Sequence, residues 1–81
     1  MTASEFKVET LERLASFRGH SVFRDRDIAM KIARISAQSD DACLRAAIVA
    51  AREGVRFSRE VGDPNAVRAS RRELQALSSI R

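Results

Sequence analysis

Aromatic side chains are scarce in this chain, which has no tryptophan, no tyrosine and four phenylalanines among 81 residues. A stacking platform for single-stranded nucleic acid would have only phenylalanines to draw on, and so small a core needs those for itself. The single cysteine, Cys43, excludes an internal disulfide and fits a reducing cytoplasm. One histidine, His20, leaves any metal site to carboxylates, so neither metal nor cofactor is expected. There is no glycine-rich phosphate loop. No apolar run reaches the roughly 18 residues of a membrane span, and the N-terminal Met-Thr-Ala-Ser-Glu-Phe-Lys lacks the apolar core of a signal peptide. A membrane partner and secretion are therefore not expected.

What is present is a helical pattern around one long stretch. Ser39 to Val61 carries Leu44, Ala47, Ile48, Ala51 and Val55 at helical spacing, with Ser39 as N-cap and Asp40 and Asp41 in the first turn, where the helix dipole favours negative charge. Gly54 is its weak point, but no second strand-like segment exists to pair with residues 55–61, so a continuous helix is the expectation. A first helix is expected from Ser4, as its cap, to Phe17, closed by Gly19. A second is expected from Arg24 to Ala37, with Ile28, Ile32 and Ile35 as its stripe and Ala29 and Ala33 widening it. Between them, Val22 and Phe23 are expected to fold back onto the core. Gly62-Asp63-Pro64 ends the long helix and opens a fourth, which runs to about Leu77 on the anchors Val67, Leu74 and Leu77 before the tail Ser78–Arg81 frays. This boundary resembles that of tetratricopeptide arrays but has no second copy, so it reads as an αα-hairpin. The expected fold is all-α: one domain over residues 1–81, with helices one, two and four packed around a central helix over about residues 40–61.

Charge is uneven along the chain. The net charge is +4, residues 1–41 are balanced, and residues 42–81 carry eight arginines against four acids. Arg45, Arg52, Arg56 and Arg59 fall in one band if the third helix is continuous, and Arg68, Arg71 and Arg72 extend it. Planar guanidinium groups suit phosphates and carboxylates alike, so this stripe is a candidate anion or nucleic-acid surface. An arginine-rich composition and a solvated face partly neutralised by Glu53, Glu60 and Glu73 account for the same residues without a ligand. A helix-turn-helix reading of the second and third helices is opposed by Asp40 and Asp41, which phosphates would repel. A Cys43–His20 nucleophile pair would require the two to meet in space. The remaining candidate is a second apolar flank of the long helix, Ala46, Val49, Ala50 and Phe57, as a surface for a protein partner or for a homodimer. The expectation is thus a small, non-enzymatic, cytoplasmic interaction or regulatory protein, with nucleic-acid binding as the alternative.

Overall fold

A computed structural model describes residues 1–20 and 24–81, in which four helices and no strand occur: α1 Ala3–Ser16, α2 Asp25–Ala37, α3 Asp40–Val61 and α4 Pro64–Ser78. The expected fold-back of Val22 and Phe23 lies outside the described residues. α3 is the longest helix and is continuous through Gly54, as the periodicity requires. Its ends are chemically explicit. Ser39 Oγ accepts from the Ala42 amide at 3.1 Å, and Gly62 takes the left-handed conformation (φ 78°) that lets its N–H close on the Ser58 and Arg59 carbonyls. Asp63 then caps α4 by accepting from the Asn65 and Ala66 amides, with Pro64 in the first turn.

Two expectations at the chain ends are corrected. α1 is capped by Thr2 rather than Ser4. Thr2 Oγ1 accepts from the Glu5 amide at 3.2 Å while the Glu5 carboxylate accepts from the Thr2 amide at 3.3 Å. Such a capping box needs an acid three residues on, and Ser4 has Lys7 there. Nor is the tail Ser78–Arg81 frayed. Ser78 is still in α4, Ile80 packs on the core, and the Arg81 carbonyl accepts from the Ala3 amide at 2.9 Å, a first-turn donor with no partner inside α1.

α3 and α4 form an antiparallel hairpin, α1 packs against α3, and α2 reaches the others mainly through α1. Leu44 and Ala51 of α3 meet Ala3, Phe6, Leu74, Leu77 and Ile80 in the main core. On α2, Ile28 is buried and Ile32 and Ile35 half-buried, but Ala29 and Ala33 are exposed. One helical neighbour cannot cover a stripe as wide as the one the sequence offers. Between α3 and α4 the buried Ser58 hydroxyl donates to the Gly54 carbonyl (2.8 Å) and is hydrogen-bonded to the Ser70 hydroxyl (3.0 Å).

The four helices make a layer, not a ball. The Cα extents are 34 × 33 × 16 Å and the radius of gyration is 14.0 Å, against about 12 Å for a compact chain of this length. The accessible surface is 6228 Å², where a folded monomer of this mass exposes about 4,900 Å². Among the described residues no large side chain is fully buried.

Lys7 fixes the corner between α2 and α3. Its Nζ donates to the Gln38 carbonyl at 2.6 Å and the Ser36 carbonyl at 3.3 Å, at the negative end of α2, and lies 3.8 Å from the Asp40 carboxylate in the first turn of α3. Lys7→Met keeps most of the stem and removes these bonds. It is expected to lower unfolding free energy by about 1–2 kcal/mol, measured by urea denaturation, whereas a loss within the noise of the measurement would show the clamp to be dispensable.

Candidate functional site

α3 presents three longitudinal faces. Leu44, Ala51, Val55 and Ser58 are its buried face. At about 100° per residue, Arg45, Arg52, Arg56 and Arg59 fall within an arc of about 60° to one side of that face, and Ala46, Ala50 and Phe57 within about 40° on the other. Val49 does not join them. It lies about 60–100° away, beyond Glu53, and is exposed on its own.

The apolar side of α3 borders two adjoining hollows. One, about 340 Å³, opens where α2 and α3 diverge over α1, with Leu14, Ile35, Ala46 and Ala47 in its wall and Lys31 and Arg34 beside them. The other, about 430 Å³, lies between α1 and α4 over Ala47, Ala50, Ala51 and Gly54, with Phe6, Arg13 and Glu73 around it. Thr10 and Ala47 belong to both, so the two hollows adjoin at that point and are together called the trough. The trough exists because the α3 side chains there are small and because α1 and α4 diverge. Phe57 continues the same side of α3 beyond the trough and is 67 % exposed.

The arginines occupy the opposite surface. Ser70, Glu73, Ala76 and Leu77 line the trough from α4, whereas Arg68 and Arg71 lie about 140–160° around that helix from them and Arg72 about 100°. Arg68 and Arg71 therefore point the same way as the α3 arginines, with Arg72 at the edge. Of these seven only Arg56 has an ion pair among the described residues, with Glu60 at 3.9 Å, and both partners are exposed. Such a pair contributes little.

The chemistry considered for Cys43 and His20 is not assembled. Cys43 is buried in the first turns of α3 beside the trough. His20 is exposed after α1, where its ring stands edge-on to Phe17 with centroids 6.3 Å apart. Among the described residues no group of three His, Cys, Asp or Glu is placed to hold a metal ion. Among the described residues no helix is long and apolar enough to cross a membrane.

The periodicity of α3 alone locates the apolar and basic faces. The trough cannot be found that way, because it depends on where α1 crosses α3. The role of Lys7 is likewise hidden, since its carbonyl partners are about 30 residues away and no local pattern announces them. Comparison with protein-family models, with curated proteins and with solved structures finds no match for this chain.

In the folded protein the buried Cys43 thiol is expected to react with a disulfide reagent at least roughly tenfold more slowly than in denaturant. Equal rates in an absorbance assay would mean that the α2–α3 corner opens freely.

Proposed function

We propose that this chain is a small interaction or regulatory protein, without catalytic activity of its own, that binds another protein along the trough side of α3 through Ala46, Ala50 and Phe57. The observation carrying this reading is the unfilled trough beside an exposed phenylalanine, in a chain whose surface exceeds that of a compact monomer by about 1,300 Å². Small alanines allow a partner helix to approach closely, and an exposed phenylalanine supplies the kind of anchor that dominates binding energy. Val49 stands apart and is a peripheral contact at most. A single buried thiol is compatible with a reducing cytoplasm as the setting.

The nucleic-acid alternative is favoured by a separate observation, the arginines collected on the outer side of the α3–α4 hairpin with almost no acidic partners. Two measurements on the full chain separate the readings. A photo-crosslinking residue at position 50 or 57 is expected to yield protein adducts in cells, and one at position 68 far fewer. Equal or reversed yields would remove the trough from consideration. Fluorescence anisotropy with generic DNA and RNA at low salt is expected to show no binding. A signal that falls steeply with salt and weakens in Arg52→Ala and Arg56→Ala would put the alternative in its place.

A further inference from the structure

We propose that the occupant of the trough is a second copy of this chain, held by two antiparallel α3 helices related by a two-fold axis. The inference rests on the partner-binding reading and names the partner. Along the trough side of α3 stand Cys43, Ala47, Ala50, Gly54, Phe57 and Val61, at alternating spacings of four and three; Cys43 is buried and Ala47 and Gly54 half-buried within the monomer, so Ala50, Phe57 and Val61 are the exposed positions of the row. This is the repeat with which two helices interlock side chains along a seam. Its two ends differ in a complementary way. Toward the N-terminus the seam is a hollow floored by Ala46, Ala47 and Ala50. Toward the C-terminus it carries the exposed Phe57 and Val61, at 67 % and 62 % exposure.

Phe57 is ten residues from Ala47, about 15 Å along the helix, with Gly54 and Ala50 between. A two-fold axis near this middle segment places each Phe57 over the partner's alanine hollow, and the small residues at the axis let the two backbones come close. A second copy brings the exposed Phe57 and Val61 and the hollow together in one contact that is repeated by symmetry, with no need for a separate complementary surface. The thin shape leaves area to spare, since the surface of the whole chain exceeds that of a compact monomer by about 1,300 Å², against the roughly 800 Å² that each partner contributes to a stable interface. Charge agrees as well. Glu53 and Glu60 flank Phe57, whereas Lys31 and Arg34 flank the hollow that would receive it, and neither of these cations has an ion pair among the described residues.

Sedimentation equilibrium of the full chain tests this. Wild type is expected at twice the chain mass of 9.0 kDa. Phe57→Glu and Ala50→Lys replace exposed residues, so helical content is expected to persist in each by circular dichroism. Each alone is expected to weaken dimerisation roughly a hundredfold. An equimolar mixture of the two is expected to recover the dimer, because one contact is then native and the other sets the introduced carboxylate of one variant beside the introduced ammonium of the other. Arg68→Glu, on the opposite surface, is expected to leave the dimer intact. A dimer indifferent to both trough variants would overturn the seam, and one that the mixture fails to restore would overturn the antiparallel arrangement. A strict monomer at all concentrations would overturn the second copy as occupant. In that case adducts of positions 50 and 57 with a different protein would leave the partner-binding reading standing, and their absence would end both.

Discussion

Lys7 places one ammonium where the carbonyl end of one helix meets the carboxylates that open the next. α2 ends with carbonyls that lack the next turn's amides and α3 begins with Asp40 and Asp41, so the two-residue connection joins the negative pole of one helix to a pair of carboxylates. Without a cation the last α2 carbonyls would be short of hydrogen-bond donors and would face the Asp40 carboxylate with nothing between them to neutralise it. Lys7 Nζ answers both deficits, and its side chain is only 17 % exposed, so water screens the arrangement less than it would a surface pair. The geometric consequence extends further. α2 packs mainly on α1, so where it stands relative to α3 depends on a contact made from α1.

That dependence produces the flat shape. A helix drawn aside by α1 cannot also close over α3, and the angle between α2 and α3 is left as a hollow. On the other flank, α4 lies along α3 and diverges from α1, which leaves the second hollow. The result is a layer one helix thick in places, held by a small core and by contacts at its edges: the Lys7 corner, the Ser58–Ser70 pair, and the bond from the Ala3 amide to the Arg81 carbonyl. Domains normally bury apolar faces between two layers. Here the second layer is missing along part of α3, and that is the physical content of the excess surface.

Signals confined to a few adjacent residues are legible in the sequence. Ser39 before an apolar run, and Gly62-Asp63-Pro64 between two runs, fix helix ends by backbone chemistry alone, and the structure places those ends there. Thr2 is a local signal too. Ser4 is the more conspicuous cap, but only Thr2 has a glutamate three residues on. The tail cannot be read in this way. Ile80 and the Arg81 carbonyl are ordered by α1, the most distant element in the chain, and end residues carry no mark of such a partner. The candidate faces divide likewise. Helical spacing groups Ala46, Ala50 and Phe57, and groups the arginines, but it cannot give the depth of the trough, which is decided by side chains of α1, α2 and α4.

The two candidate faces do not compete for the same space. On α3 the arginines lie to one side of the buried stripe and the trough residues to the other, so covering the trough leaves the guanidinium groups in water. Separation of this kind suits a chain with net charge +4. An arginine row set along an apolar seam would have to be desolvated on association, and unpaired buried charge costs several kcal/mol. On the outer side of the hairpin the same residues keep their hydration and repel only weakly at physiological salt. They also discourage association through that surface, which directs any pairing of apolar groups to the trough. The arginine face therefore has a physical role even with no anion bound to it, because it limits where this thin layer of helices can be covered.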